Sequence, residues 1–276
     1  MDKQLSQALL MQVIDIAEEA GNAIMDIYQT DFAQYQKKDS SPVTEADIAA
    51  HNVIDKGLKK FSDLPVLSEE SKLCDITWQQ RKNWQRYWLI DPLDGTKEFI
   101  NRNDEFTVNI ALIDQGKAVL GVVYAPAIDC LYFAAQGIGA FKRTNKNSED
   151  YSQLHISSFP DKEDVWKIVG SRRHGAEAVE QFSQTLGNIE SVSMGSSLKL
   201  CLVAEGKAHL YPRLAPTFEW DTAAAQAIVE NAGGKVLKPD FTPITYGQKD
   251  DLLNPCFIVC GEVNDRWYKV FAELTQ

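Results

Sequence analysis

The segment from residue 88 to residue 96 decides how this chain is interpreted, and it reads Trp88-Leu89-Ile90-Asp91-Pro92-Leu93-Asp94-Gly95-Thr96. Its apolar start predicts a buried strand that stops at Pro92, because proline cannot donate to a sheet ladder. Such a strand delivers Asp91 to its carboxyl end, where the ligand sites of sheets usually lie. Asp94 returns a second carboxylate to the same small volume, and hard oxygen ligands of this kind suit Mg²⁺. The main-chain carbonyl of Leu93 can add a neutral ligand.

The two residues that follow these acids favour a phosphate site. Gly95-Thr96 opens a helix-like segment, whose free N–H groups and dipole attract an anion. The alternative is an ordinary turn, since Asp and Gly are good turn formers. A buried strand, two acids, Gly and Thr in this order favour a site over a turn.

Two other segments bring single acids to the ends of apolar runs. Glu69 follows the short strand predicted at 66–68 and is a candidate third carboxylate ligand, but taken alone this segment fits a solvated loop better. Asp221 follows Trp220 where an apolar helix begins. A helix N-cap there contributes about 1 kcal/mol, and the same position can aim the carboxylate into a cleft, so both roles can hold together.

Other phosphatase chemistries fit the sequence poorly. An aspartyl-phosphate mechanism needs D-x-D-G-T, but the spacing here is D-x-x-D-G-T, so Asp91 and Asp94 are one residue too far apart for those roles. The chain carries no Walker-A string, and its four histidines form no metal-like pair.

The charge balance restricts the partners of this 276-residue chain. Its 39 acidic and 28 basic side chains give a net charge of −11, which disfavours nucleic acid and anionic membranes. An anionic substrate then requires divalent cations to reverse the field locally.

The five cysteines include no C-x-x-C, which predicts reduced thiols and a cytoplasmic address. No signal-peptide pattern or 18-residue apolar run is present, so we expect no transmembrane segment.

The hydrophobic periodicity divides the chain into two halves. Residues 1–150 predict an α+β half: a helix over 5–27, a second helix introduced by a Thr44–Asp47 capping box, and an antiparallel meander of strands at 87–90, 106–113, 118–124, 131–135 and 140–143. Residues 151–276 predict an α/β half: strands at 165–169, 189–193, 208–211 and 256–260, and helices at 176–186, 197–205, 221–232 and 263–274. Two sheets with helices between and around them is the expected architecture.

The acidic segments together resemble a known family. The order of Glu69-Glu70, the D-P-L-D-G-T motif from Asp91 and Trp220-Asp221 is similar to the lithium-sensitive, Mg²⁺-dependent phosphatases of the inositol monophosphatase superfamily. The stretches 39–47, 93–100, 105–113 and 195–199 look most like its CysQ branch, the 3′(2′),5′-bisphosphate nucleotidases. A simple inositol phosphatase more often has Asn, not Lys-Glu, after the G-T. The resemblance implies a layered α-β-α-β-α sandwich of the inositol monophosphatase and fructose-1,6-bisphosphatase type.

The resemblance also implies roles for individual residues. Two or three Mg²⁺ ions would be held by Glu69, Asp91, the Leu93 carbonyl, Asp94 and Asp221. Thr96 and Asp47 would be catalytic, positioning and deprotonating the attacking water, although the residues alone favour the capping role for Asp47. The implied substrate-binding set is Glu69, Leu93, Asp94, Gly95, Thr96, His174, Ser196, Lys199, Arg213 and Asp221. For His174, Ser196, Lys199 and Arg213 the alternative is plain polar or charged surface.

The implied reaction is hydrolysis of adenosine 3′,5′-bisphosphate to AMP and phosphate, with 3′-phosphoadenylyl sulfate as a second substrate and a role in sulfur assimilation. An inositol or sugar phosphatase is the alternative within the same fold. A catalytically dead metal- or nucleotide-binding module is the third, and the intact acids and Thr96 argue against it. Relatives occur as monomers and dimers, which leaves a homodimer open. Peripheral attachment to the cytoplasmic side of the inner membrane is known for some relatives, but nothing in these residues demands it.

Overall fold

The structure is a computed structural model, and it describes residues 5–31, 34–36, 42–71, 76–160, 165–170, 176–184, 186–265 and 267–275. The helices are α1 (Gln7–Tyr28), α2 (Glu45–Lys59), α3 (Trp78–Arg81), α4 (Thr96–Ile100), α5 (Ala176–Gln184), α6 (Leu198–Ala204), α7 (Glu219–Asn231) and α8 (Tyr268–Leu274). The strands are β1 (Gln34–Gln36), β2 (Pro42–Thr44), β3 (Val66–Ser68), β4 (Arg86–Asp94), β5 (Thr107–Asp114), β6 (Lys117–Ala125), β7 (Cys130–Ala135), β8 (Gly139–Thr144), β9 (Ser152–Gln153), β10 (Trp166–Gly170), β11 (Ile189–Ser193), β12 (Leu210–Arg213), β13 (Thr217–Phe218), β14 (Lys235–Leu237), β15 (Leu253–Asn254) and β16 (Phe257–Cys260).

The larger sheet has seven strands in the order β3-β4-β5-β6-β7-β8-β9. From β4 onward every neighbouring pair is antiparallel, and only β3 runs parallel to its partner β4. The predicted antiparallel meander is therefore confirmed. Because β9 pairs with β8, the larger sheet extends to residue 153, whereas the predicted division of the chain falls after residue 150. That division remains a prediction.

The smaller sheet has five strands in the order β11-β10-β12-β16-β14. Strand β10 runs parallel to β11 and β12, and β16 runs antiparallel to β12 and β14. Two further pairs, β1 with β2 and β13 with β15, are short antiparallel ladders. The alternation of strands and helices in the second half thus produces a mixed sheet.

Alternate residues of β4 show how the layers stack. Trp88 and Ile90 face a core formed with α1 and α2, whereas Tyr87 and Leu89 face a core formed with α6 and α7. The α6 helix also packs against the smaller sheet, whose far face forms a third core with α5 and α8. The order of layers is α-β-α-β-α, as the resemblance implied.

The α7 helix lies unusually close to the larger sheet. Its buried residues include four small ones, Ala223, Ala224, Ala225 and Ala227. A Cβ added to Gly121 of β6 would lie 2.0 Å from the main-chain oxygen of Ala224, so only glycine fits beneath the helix at that point. This close approach brings the first turn of α7 beside the end of β4.

The structure corrects the predicted end of β4. The strand continues through Pro92 to Asp94, so the prediction that Pro92 stops it is wrong. Asp91 pairs with Asn109 and Asp94 pairs with Thr107, which leaves one extra residue on the β4 side. A bulge of this kind accommodates a proline, because its missing N–H is not needed in the ladder.

Other predicted elements are present with shifted limits. The first two helices agree closely with their predictions. Helix α8 begins at Tyr268, five residues later than predicted, and β12 spans Leu210–Arg213 instead of 208–211.

No helix in the described ranges combines the length and hydropathy needed to cross a membrane. Among the described cysteines, Cys130, Cys201, Cys256 and Cys260 are free thiols; Cys74 lies outside the described residues.

Candidate active site and metal centre

Three carboxylates from distant parts of the chain meet at one point. Oxygen atoms of Asp91, Asp94 and Asp221 lie within 4.8 Å of one another. The first two come from the bulged end of β4, and the third comes from the first turn of α7. The close approach of α7 to the larger sheet therefore creates the cluster.

The β4 bulge and the turn after it orient the first two acids. The main-chain N–H of Leu93 donates to Asp91 Oδ1 at 3.1 Å, which fixes that carboxylate against its own strand. Gly95 then adopts φ 95°, and α4 begins at Thr96. A side chain at position 95 would be strained there, because this φ lies in the left-handed region that favours glycine.

Asp221 occupies a different helix position from the one predicted. Helix α7 begins at Glu219, so Asp221 is its third residue and the N-cap prediction is wrong. Its Oδ2 accepts a hydrogen bond from the N–H of Phe218 at 2.9 Å. A carboxylate at this third position often reaches back to the residue before the helix. Asp221 consequently supports the helix start and takes part in the acid cluster.

Burial and mutual repulsion raise the pKa values of these acids. The pKa of Asp91 lies well above its usual range because the carboxyl is buried, and the charges of Glu69, Asp94 and Asp221 raise it further. Burial also raises the pKa of Asp221, followed by the charges of Asp94 and Glu69. Glu69 lies close enough to hydrogen-bond Asp91. Glu69 thus belongs to the same electrostatic group.

Asp47 and Thr96 form a second feature of the site. The hydroxyl of Thr96 lies 3.1 Å from Asp47 Oδ1 and 3.4 Å from the carbonyl oxygen of Leu93. The other oxygen of Asp47 accepts hydrogen bonds from the N–H and the hydroxyl of Thr44, at 2.8 and 2.7 Å. The predicted capping box is confirmed. Its carboxylate also contacts Thr96 across the chain, which the capping pattern alone did not indicate.

A buried polar network supports Asp94 from behind. Ser197 Oγ lies 2.7 Å from Asp94 Oδ2 and 2.8 Å from the carbonyl oxygen of Asp221. Asn109 Nδ2 donates to Ser197 Oγ at 2.7 Å. The hydroxyl of Ser196 lies 2.8 Å from the main-chain oxygen of Asp94 and from Thr107 Oγ1.

Sequence reasoning assigned no role to Asn109, Ser197 or Thr107. One signal was available, since Asn109 interrupts an otherwise apolar strand. A polar side chain in such a strand needs a buried partner. The identity of that partner, 88 residues further along the chain, was not apparent from the sequence.

The acids open onto two adjoining cavities. The first is lined by residues that include Glu69, Asp91, Leu93, Thr96 and Asp221. The second has a volume of about 790 Å³ including open solvent, and its lining includes Ser196, Lys199, Arg213 and Tyr211. Asp94, Gly95 and Asp221 line both. The described residues predicted to bind substrate therefore surround one continuous cleft, whereas His174 lies outside the described residues.

Two basic side chains in the second cavity, Lys199 and Arg213, have defined surroundings. Lys199 Nζ donates to the carbonyl oxygen of Ser196 at 2.6 Å, and burial lowers the pKa of Lys199. Arg213 donates through Nε to Ala215 at 3.0 Å and through Nη2 to Pro216 at 2.9 Å. These contacts hold positive charge beside the acids.

The donor set of the cluster fits a hard divalent cation. Carboxylate oxygens are the ligands that Mg²⁺ prefers. Burial, and repulsion between the neighbouring carboxylates, raise the pKa values of Asp91 and Asp221. A cation bound among them would relieve that repulsion.

The chain belongs to the inositol monophosphatase family, whose sequence profile matches residues 6–273. Among curated proteins it is similar to the 3′(2′),5′-bisphosphate nucleotidase CysQ of Salmonella typhimurium, with 48% identity over 91% of this chain and 99% of that protein. The protein of the same name from Escherichia coli K12 is 47% identical with the same coverage. The resemblance inferred from the acidic motifs is confirmed.

Solved structures agree with this assignment. The crystal structure of CysQ from Bacteroides thetaiotaomicron, described as a bacterial member of the inositol monophosphatase family, has a TM-score of 0.80 and 41% identity, covering 93% of this chain and 98% of that one. The suhB protein of Bartonella henselae has a TM-score of 0.74 at 24% identity, covering 98% and 99% of the two chains; at that identity the match supports the fold alone.

Proposed function

We propose that this protein is a Mg²⁺-dependent 3′(2′),5′-bisphosphate nucleotidase that hydrolyses adenosine 3′,5′-bisphosphate to AMP and phosphate. The observation that carries the proposal is the convergence of Asp91, Asp94 and Asp221 within 4.8 Å, in a chain 47–48% identical to proteins named for that activity.

In this proposal the metal ligands are Glu69, Asp91, the Leu93 carbonyl, Asp94 and Asp221, which would hold two or three Mg²⁺ ions. All five residues line the same cavity. When bound, Mg²⁺ supplies Lewis acidity that withdraws charge from the phosphoryl and leaving oxygens. The raised pKa values of Asp91 and Asp221 support this assignment, because a cation is the natural partner for carboxyls that repel one another.

Thr96 and Asp47 prepare the attacking water. The Thr96 hydroxyl donates its single proton to Asp47 Oδ1, which leaves its own lone pairs able to accept from a water in the cavity. As that water attacks phosphorus, Thr96 can receive its proton while passing its own to Asp47. No enzyme side chain becomes phosphorylated in this scheme.

The second cavity, lined by Ser196, Lys199 and Arg213, receives the rest of the substrate. Gly95 and Thr96 lie at the start of α4 beside the reacting phosphate. Lys199 and Arg213 line the adjoining cavity with Ser196, and their charges suit the second phosphate of a bisphosphate nucleotide. His174 completes the proposed set. The proposal extends to 3′-phosphoadenylyl sulfate as a second substrate, lithium inhibition and a role in sulfur metabolism, but not to membrane attachment.

Steady-state kinetics in Mg²⁺ test the proposal. We expect kcat/KM to be higher for adenosine 3′,5′-bisphosphate than for inositol 1-phosphate, and activity to disappear when the metal is removed by a chelator. A higher kcat/KM for inositol 1-phosphate would instead identify an inositol phosphatase. Lys199→Met provides a matched variant: it should raise KM for the bisphosphate far more than for a nucleoside monophosphate, which lacks the second phosphate.

A further inference from the structure

The two oxygens of Asp94 have different surroundings. Within the described part of the chain, the side-chain hydrogen bonds to this carboxylate both reach Oδ2: Ser197 Oγ lies at 2.7 Å and Asn109 Nδ2 at 3.4 Å. One oxygen is therefore engaged by the protein.

The network that engages Oδ2 has a defined direction. Thr107 Oγ1 donates to Asn109 Oδ1 at 3.0 Å, which fixes the orientation of the amide. The amide nitrogen then donates to Ser197 Oγ at 2.7 Å. Ser197 has one proton to give, and the carboxylate of Asp94 is a stronger acceptor than the carbonyl of Asp221, 2.8 Å away. The chain of donors ends on Asp94 Oδ2.

This network is shielded from solvent and contacts the elements that carry the other two acids, Asp91 and Asp221. Thr107, Asn109 and Ser197 are at most 1% exposed, so water cannot easily replace a missing donor. Asn109 lies on β5 opposite Asp91, and Ser197 also contacts the backbone of Asp221. The carboxylate of Asp94 is thereby held in a fixed rotation relative to the other two acids.

The fixed rotation has a consequence for cation choice. Mg²⁺ demands near-octahedral geometry at about 2.0–2.1 Å, which suits carboxylates that each give one oxygen, whereas Ca²⁺ accepts about 6–8 oxygens and readily takes both oxygens of one carboxylate. We propose that Ser197, supported by Asn109, is a positioning residue that reserves Asp94 Oδ2 and makes Asp94 a single-oxygen ligand, so that the site favours Mg²⁺ over Ca²⁺. This inference rests on the proposed metal centre.

The test is direct cation binding by isothermal titration calorimetry on metal-stripped protein, with Mg²⁺ and Ca²⁺ measured separately. In Ser197→Ala we expect Mg²⁺ affinity to fall by roughly 10-fold, as for other residues that support a metal ligand. Ca²⁺ affinity should fall much less, because the freed oxygen can join the coordination. Ser197→Cys, nearly isosteric but a poor donor, should shift the preference in the same direction. Asn109→Ala should do so more weakly, since its own contact with Oδ2 is longer.

Ser157→Ala is the matched control. Ser157 lies beside Gly206, beyond the opposite end of α6, and within the described residues its buried hydroxyl has no hydrogen-bond partner, so the substitution should change neither affinity. An unchanged ratio of the two dissociation constants in folded Ser197→Ala and Ser197→Cys overturns the inference, including a parallel loss of both cations. Wild-type protein that binds neither cation overturns the proposed metal centre itself, which separates the two failures.

Discussion

Asp47 and Asp91 are equally buried, at 1% exposure each, but their surroundings are opposite. Asp47 accepts hydrogen bonds from the N–H and hydroxyl of Thr44 and from the hydroxyl of Thr96. Burial raises the pKa of Asp91, and the charges of Glu69, Asp94 and Asp221, which it faces, raise it further. The chain's own donors thus stabilise the charge at Asp47, whereas the proposed cation would balance the acid cluster. In the proposed metal centre, the side of the cleft with Asp47 and Thr96 is organised before metal binds, and the side with the acid cluster would be completed by the metal.

The largest effect should come from removing one charge of the cluster. In Asp94→Asn we expect kcat/KM to fall by roughly 10³-fold, because a ligand that stabilises the transition-state charge is lost. The metal-free protein should nevertheless melt at a higher temperature, since one of the mutually repelling carboxylates is gone. Turnover assays and thermal melts in a chelator measure the two outcomes. Turnover close to wild type would remove Asp94 from the metal site.

A smaller effect on turnover should follow from altering Thr96, on the side of the cleft that contains Asp47. Thr96→Val keeps the shape of the side chain but removes the hydroxyl, so kcat should fall by about 10²-fold. Mg²⁺ affinity should stay unchanged, because the Thr96 hydroxyl is not among the proposed ligands. Thr96→Ser is the control and should retain most of the activity. A variant that changed Mg²⁺ affinity but not kcat would place Thr96 among the ligands instead.

Substitutions of Asp47 and of Asp94 should change the free energy of unfolding of the metal-free protein in opposite directions. Asp47→Asn weakens the capping box of α2 and should cost about 1–2 kcal/mol of unfolding free energy, with or without Mg²⁺. Urea denaturation of metal-free protein compares this loss with the gain expected for Asp94→Asn. If both variants gained stability, Asp47 would belong electrostatically to the cluster and the contrast between the two sides would fail.

The smallest expected effect concerns the pH dependence of the unfolding free energy of the metal-free protein. The pKa values of Asp91 and Asp221 are raised in the folded protein from an ordinary value of 3.8. Their contribution to stability is therefore complete below that value and is lost as pH rises through the folded pKa. Metal-free unfolding free energy should decline over this interval, and Mg²⁺ should reduce the decline. Asp221→Asn should flatten the profile; an unaltered slope would mean that other groups cause it.

The sequence predicts those parts of the site that depend on neighbours in the chain. Asp91 and Asp94 lie three residues apart at a strand end, so their proximity follows from local geometry. The capping box of α2 is predictable for the same reason. The meander and the first helices follow from hydrophobic periodicity, which is set by the burial of one face.

Features that depend on distant contacts were less accessible. The convergence of Asp221 with the other acids came from the family resemblance rather than from spacing. Pro92 was expected to end β4 because proline cannot donate to a sheet ladder. The bulge on β4 that accommodates it depends on the register with β5, which the sequence does not show. Ser197 gained a role only when the fold brought it to Asn109 and Asp94. Their hydrogen bonds span 88 and 103 residues.

The position of Asp221 depends on Gly121, a residue of β6 that lies against the backbone of α7. A methyl group there would meet the Ala224 oxygen at 2.0 Å, and ordinary contact would return only if α7 moved by about 1 Å or more. Asp221 lies one turn away on the same helix and would travel with it. Misplacements of that size can cost about 10²-fold in rate. The absence of a side chain at Gly121 therefore allows α7 to keep Asp221 beside the other acids.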